Sequence, residues 1–231
     1  MTIIFISGTG TGVGKTVVTA ALATLIRQQG REVLPLKPVQ TGEPAGSGDI
    51  HTIARLTGIQ GMEFTRYPDP LAPNLAARQS GRPQVTLSGI AEWILGLDTP
   101  DRVLLVEGAG GVAVRLADDL TLLDVAAELN APLLLVTALG LGSLNTAELS
   151  VQASRAAGVE VAGLIGGSAS TRPGLAERLN HEELPRLCKT PLLGALPEGA
   201  GVLSPGAFRQ AAQESITLPR QLSGPSDAPA G

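Results

Sequence analysis

The 231-residue sequence predicts an α/β fold: a doubly wound, mostly parallel sheet of about seven strands with helices on both faces. Three observations carry this expectation. The chain opens with an apolar run, Thr2–Ile6, that breaks into glycines at Gly8, Gly10, Gly12 and Gly14 before Lys15-Thr16 and a stretch of helical period. Several later apolar runs are continuous rather than alternating, as in strands covered on both faces. Segments with apolar residues at helical spacing separate these runs.

The first element is the most specific. Strand, Gly-rich loop and helix, in that order, are the context a phosphate-binding loop requires. Glycines take positive φ, so successive N–H groups can turn inward on an anion, and the helix N-terminus adds its dipole. Lys15 would neutralise the β- and γ-phosphates, and the Thr16 hydroxyl would hold Mg2+. In G-x-x-x-x-G-K-[ST] a glycine stands five before Gly14. That position here is Thr9 and the first glycine is Gly8, so the loop is one residue longer. A P-loop NTPase-type domain that binds a nucleoside triphosphate is expected.

Thr16–Gln29 then reads as a helix stopped by Gly30. Glu32–Lys37 reads as a strand ended by Pro38, which leaves Lys37–Gly42 as a loop at the strand's carboxyl end. Asp49 opens a helix to about Leu56. Residues 60–85 carry little signal beyond turns at Pro68, Pro70 and Pro73 and one or two helical turns over Asn74–Ser80. Helices are expected over Thr86–Leu97, with Trp93 in the core, over Leu122–Leu129, and from about Ser143 to Ala157. Strands are expected at Arg102–Val106, Pro132–Thr137, Glu160–Ile165 and Leu192–Leu196. Pro173–Leu187 is helical in pattern, with Pro185 expected to break or end it. The expected organisation is one domain, residues 1–222, with a disordered tail at 223–231 that lacks apolar content.

Composition narrows the partners. A net charge of -4 argues against nucleic acid or an anionic membrane. The single cysteine, Cys188, argues against a disulfide framework, and no membrane span or signal peptide is expected, which points to the cytoplasm. Only three lysines occur, Lys15, Lys37 and Lys189, against fourteen arginines. A guanidinium cannot replace a compact ammonium aimed at a phosphate or a small reacting group.

The strand ends deliver the candidate chemistry. Glu107 follows Val103–Val106, so an acid stands where a buried strand surfaces, and the glycines after it let a ligand approach the backbone. Mg2+ held by one or two carboxylates, a hydroxyl and phosphate oxygens fits Thr16, Asp49 and Glu107. Asp49 could equally be a plain helix N-cap. His51 and His181 lack ligand-spaced companions for zinc, and no G-x-S-x-G elbow is present.

Four segments in order, Gly8-TGTGVGK-Thr16, Lys37-PVQT-Gly42, Val106-EGAG-Gly111 and Gly140-LGSL-Asn145, closely resemble the dethiobiotin synthetases of biotin biosynthesis over about residues 2–200. The resemblance implies a homodimeric cyclo-ligase that joins 7,8-diaminononanoate and CO2 (or bicarbonate) at the expense of ATP or another nucleotide such as CTP. It implies Mg2+ at Thr16, Asp49 and Glu107, and Lys37 and Lys15 as catalytic cations. It implies a nucleotide site of Gly12, Val13, Gly14, Lys15, Thr16, Val17, Asp49, Glu107, Gly108, Ala109 and Gly110, with Gly166, Gly167, Leu196, Pro197 and Glu198 toward the base. The diamine would meet Thr11, Lys37 and Thr41, and its tail carboxylate the helix start at Gly142, Ser143, Leu144 and Asn145 across the dimer interface.

Two departures stand out. Members of that family often carry Asn-Asp where this chain has Gly166-Gly167-Ser168, so no amide is present to pair with adenine. Ala72-Pro73-Asn74 stands where members often have Ser-Pro-His. The alternative reading is a switch ATPase of the partitioning or metallochaperone type, but those carry a second lysine early in the loop, where this chain has Gly10. An amidotransferase of cobyrinate type would need a glutaminase domain that 231 residues do not accommodate.

Overall fold

The computed structural model describes residues 2–222; the tail expectation at residues 223–231 lies outside them. Among the described residues the elements are β1 (Thr2–Gly8), α1 (Lys15–Gln28), β2 (Glu32–Thr41), α2 (Asp49–Thr57), β3 (Met62–Tyr67), α3 (Pro73–Gln79), α4 (Leu87–Gly96) and β4 (Arg102–Gly111). A short hairpin, β5 (Arg115–Ala117) and β6 (Leu120–Thr121), follows, then α5 (Leu122–Glu128), β7 (Leu133–Thr137), α6 (Ser143–Ala156), β8 (Val161–Ala169), α7 (Leu175–Cys188), β9 (Leu192–Pro197) and α8 (Pro205–Ser215). Seven strands form one sheet in the order β3-β2-β4-β1-β7-β8-β9, all parallel. The winding reverses around β1, so the carboxyl ends of β1, β2 and β4 open on one crevice.

Period two in the central strands divides the core. Ile4 and Ile6 of β1 join Val103, Leu105 and Val136 under Leu22 and Ile26 of α1, Ile53 and Leu56 of α2, and Phe208 of α8. Ile3 and Phe5 face the other way, with Leu104, Val106 and Leu135, onto Ile90 and Ile94 of α4, Val125 of α5, Val151 of α6 and Leu184 of α7. Burying each such side chain contributes about 1.5–3 kcal/mol.

Several expectations are corrected. Pro38 does not end β2, which runs on to Thr41. Pairing with β4 stops at Leu36 while pairing with β3 continues to Thr41, so the missing N–H falls where β2 has one neighbour. Lys37–Thr41 is therefore strand, and only Gly42 begins the loop. Pro185 does not end α7, which reaches Cys188 because Leu184 and Cys188 are buried and hold the last turn to the core. Strand β3, the hairpin and α8 were absent from the sequence expectation. Trp93 is half-buried and meets Phe64 with ring centroids 5.4 Å apart.

Candidate functional site

The site begins with backbone. The loop after β1 reaches α1 through Gly12 (φ 75°) and Gly14 (φ 98°), both left-handed and costly for a side chain. The loop is also pressed against a second strand. A Cβ on Gly14 would lie 2.8 Å from the Gly167 carbonyl oxygen, and one on Gly167 only 1.7 Å from that of Val13. Gly166 and Gly167 of β8 are buried. What Gly167 faces is the phosphate loop itself, so its lack of a side chain is a packing requirement.

On this backbone stands a compact charged cluster. Lys37, on β2, is 3% exposed and Glu107, on β4, is 1% exposed. The Lys37 Nζ donates to the Gly108 carbonyl at 2.8 Å and to Glu107 Oε1 at 3.1 Å, and it forms an ion pair with Asp49 Oδ2. Thr16 Oγ1 lies 2.9 Å from both Asp49 Oδ1 and Glu107 Oε1. One hydroxyl proton serves one carboxylate at a time. Thr19, a turn further along α1, donates to Glu107 Oε2 at 2.7 Å. Lys15 Nζ donates to the Gly10 carbonyl at 3.0 Å, across the loop it follows. Asp49 is the first residue of α2, whose N-cap is Gly48, so its carboxylate is free to turn into the cluster. The plain N-cap alternative does not describe it.

Charge is balanced by contact. Burial works against the Lys37 ammonium, but the Glu107 and Asp49 carboxylates outweigh it and hold its pKa above the ordinary lysine range. Burial raises the Glu107 carboxyl, with the Lys37 charge opposing and the Asp49 charge adding to the rise. For Asp49 burial is outweighed by Lys37 and by the Thr16 hydrogen bond, and its pKa is lowered. Lys15 is lowered by burial and by the nearby Lys37 charge.

Lys15, Thr16, Lys37, Asp49 and Glu107 line one cavity of about 400 Å³ with Thr11, Gly12, Val17, Gln40, Thr41, Ala109 and Gly110. The expected nucleotide, metal and diamine residues on the first half of the chain therefore converge. A second cavity of about 570 Å³ meets the first at Thr11 and is walled by Val112, Val114, Leu149 and Ala153. Gly142–Asn145 lies outside both. Gly142 is the left-handed N-cap of α6, Ser143 is buried against the Asn180 amide at 3.1 Å, and Asn145 is exposed. Leu196 and Pro197 end β9 beside β8, and the N–H of Glu198, the next residue, donates to the Ala169 carbonyl at 2.8 Å. Thr19 and Gln40 were missed in the sequence, and Gly108, expected at the nucleotide, also holds Lys37 through its carbonyl. Thr19 could have been found from its spacing, since the residues three and four before it, Thr16 and Lys15, share its helix face.

A divalent cation fits this donor set. Two carboxylates, each 2.9 Å from one hydroxyl oxygen, suit Mg2+, which would complete its shell with water and phosphate oxygens. Among the described residues no group of three or more His, Cys, Asp and Glu is placed to hold a metal. A site that shares its ion with a nucleotide does not need one.

Comparison with known proteins decides the family. A family model described as an AAA domain matches residues 2–205. The ATP-dependent dethiobiotin synthetase BioD of Corynebacterium efficiens is 71% identical over 219 residues, 95% of this chain and 100% of that protein. The chain belongs to the dethiobiotin synthetase family. The protein of the same name from Streptomyces coelicolor is 50% identical over 233 residues, 100% of this chain and 97% of that one. Membership makes this dethiobiotin synthetase chain a ligase of biotin biosynthesis with an ATP-binding fold. Solved structures share the architecture. The MinC:MinD cell division complex of Aquifex aeolicus aligns with TM-score 0.54 at 18% identity, over 95% of this chain and 99% of that one. FtsY of Thermotoga maritima aligns with TM-score 0.54 at 16% identity, over 91% and 68%. At such identities the likeness concerns fold alone, and the switch-ATPase alternative gains nothing from it.

Proposed function

We propose that this dethiobiotin synthetase closes the ureido ring of 7,8-diaminononanoate within the cavity where Lys15, Thr16, Lys37, Asp49 and Glu107 converge. That convergence is the observation that supports the reading. The nucleotide's phosphates lie in the loop Gly8–Thr16, against the amides and Lys15. Thr16, Asp49 and Glu107 are the residues that would hold Mg2+. When bound, it supplies positive charge to the phosphate oxygens.

A substrate amine adds to CO2 and releases a proton, giving a carbamate anion. Lys37, and Lys15 beside it, offset that charge, and Thr41 offers a hydrogen bond. A carbamate oxygen then attacks the γ-phosphorus in line. The bond to the bridging oxygen breaks, ADP leaves, and a carbamic-phosphoric anhydride remains. Loop amides and Lys15 stabilise charge on the transferring group. The second amine attacks the carbonyl carbon, loses its proton and expels phosphate. The chain positions three reactants and supplies no nucleophile.

The apolar walls of the second cavity suit the diamine's hydrocarbon chain, which would pass Thr11. A second subunit completes the tail site at Gly142–Asn145. Leu141, 96% exposed, and Leu149, 57% exposed, suit a surface that such a partner covers. With no amide at Gly166-Gly167-Ser168 to pair with a purine edge, base selection is loose or favours a nucleotide other than ATP.

The test is phosphate release from ATP and from CTP, each with and without diamine and bicarbonate, with mass spectrometry of the product. Release that needs the diamine and yields dethiobiotin is expected; release indifferent to the diamine would overturn the reading in favour of a switch ATPase. Sedimentation in the same buffer checks the dimer.

A further inference from the structure

The helix that brings Asp49 to the cavity starts without a side-chain cap. Its N-cap is Gly48 (φ 104°, ψ −163°), and the first free N–H, that of Asp49, is accepted by Gln40 Oε1 at 3.0 Å. Gln40 sits on β2, three residues beyond Lys37, and is 5% exposed. Its own Nε2 donates to the Thr41 carbonyl at 3.1 Å, which fixes which end of the amide faces Asp49. Gly48 makes the room: a Cβ there would lie 2.7 Å from Gln40 Oε1 and 2.8 Å from its Cδ, at a φ that a side chain rarely adopts. A glycine and a glutamine thus replace the usual Ser or Asp cap.

The neighbouring restraints leave this task to Gln40. Arg66 of β3 grips the preceding loop, donating to the carbonyls of Glu43 and Pro44 at 2.7 Å and of Ser47 at 2.8 Å. The body of α2 is held by Ile50, Ile53 and Leu56 in the core. Neither reaches the Asp49 backbone. At the other end of Asp49, its carboxylate takes the Thr16 hydroxyl and the Lys37 ammonium. Asp49 is therefore held at both ends, and Gln40 holds the backbone end.

We propose that Gln40 is a positioning residue of the reaction: it fixes the start of α2 so that the Asp49 carboxylate meets Thr16 and Glu107 where the cation of the nucleotide binds. This rests on the reading of Asp49 as a metal ligand, and the test separates the two. Outer partners that orient a metal ligand are worth about ten- to a hundredfold in metal affinity.

The experiment is electron paramagnetic resonance titration of Mn2+ into the full-length protein with ADP, on the parent, Gln40→Met, Gln40→Asn, Gln40→Glu and Asp49→Asn. Gln40→Met keeps the volume and removes the acceptor; Gln40→Asn keeps the amide but withdraws it by a methylene. Both are expected to bind Mn2+ about tenfold more weakly. In turnover their KM for Mg2+ rises by the same factor, while kcat at saturating Mg2+ stays within about threefold. Gln40→Glu retains an acceptor oxygen but loses the Nε2 donor to the Thr41 carbonyl, so a loss smaller than that of Gln40→Met is expected. Parent-like Mn2+ binding by Gln40→Met and Gln40→Asn would overturn the proposal, as would an equal loss in Gln40→Glu. Unchanged binding by Asp49→Asn would instead remove the metal reading beneath it.

Discussion

The carboxyl end of β1 and the carboxyl ends of β2 and β4 build the same cavity by different means. Beyond β1 the loop is shaped by its backbone, with Lys15 and Thr16 the side chains at its end. Gly12 and Gly14 take left-handed φ, and the packing of Val13 and Gly14 on Gly167 leaves no space for a side chain. At β2 and β4 the working groups are side chains, Lys37 and Glu107, buried and held by each other. A backbone site fails when something is added, and a buried charge pair fails when something is removed. The two halves therefore separate under substitution, and the comparison can be broken by experiment.

The largest effect is expected at Lys37. Lys37→Met should lower kcat by about 10²–10³-fold while leaving ADP affinity within a few-fold, read by turnover and calorimetry. Near-normal kcat would remove Lys37 from the mechanism. The same change leaves Glu107 buried without its partner, at a cost of about 3–5 kcal/mol. Glu107→Gln added to it should recover stability in chemical denaturation without recovering turnover. The pH dependence of the single variant follows in sign. Burial already lifts the Glu107 carboxyl, and losing Lys37 lifts it further, so the folded state holds that proton more tightly than the unfolded chain. The variant gains stability as pH falls to the carboxylate range and loses it as pH rises through the folded pKa.

Next comes Gly167→Ala, which adds one methyl to β8 against the loop. It must displace the Val13 carbonyl, and overpacking of this kind costs about 1–3 kcal/mol. ADP binding should weaken while Lys37 chemistry on bound substrate persists. If ADP binds unchanged, the loop is not braced on β8 as described. A smaller effect is expected from Lys15. Its pKa lies below the ordinary lysine range, so ADP affinity measured from about pH 7 to about pH 10 should begin to fall before an unperturbed lysine would titrate. Smallest is the base: ATP and CTP should differ little in kcat/KM, and a strong ATP preference would show that another group reads the purine.

What could be read in the sequence follows the same division. Thr2–Ile6, Arg102–Val106 and Pro132–Thr137 are central strands with both faces covered, and continuous apolar runs betray them. Strand β3, Met62–Tyr67, lies at the sheet edge with Glu63 and Arg66 paired along it, so its composition looks like a loop. Helix α8 buries only Phe208 and Ala212, too sparse a stripe to stand out, though Ser204-Pro205 marked its start. In the site, Lys15, Thr16 and Glu107 were legible because each stands beside a glycine-rich stretch, although Glu107 lies within β4, which runs on to Gly111 rather than ending at Val106. Gln40 was hidden because its partner, the Asp49 N–H, is settled by the path of the 42–48 loop, which no local pattern encodes.

The place of β1 has a consequence for how the protein is made. It is synthesised before β4 and β7, with which it pairs and whose residues begin at Arg102 and Leu133. At about 5–20 residues per second, the ribosome needs on the order of 5–20 s to supply the first of those partners. Throughout that interval Ile3, Ile4, Phe5 and Ile6 lack the strands that flank them in the finished sheet. An apolar stretch of the cavity's scaffold thus stands open on the nascent chain as a docking target for a chaperone, or for another unfinished copy.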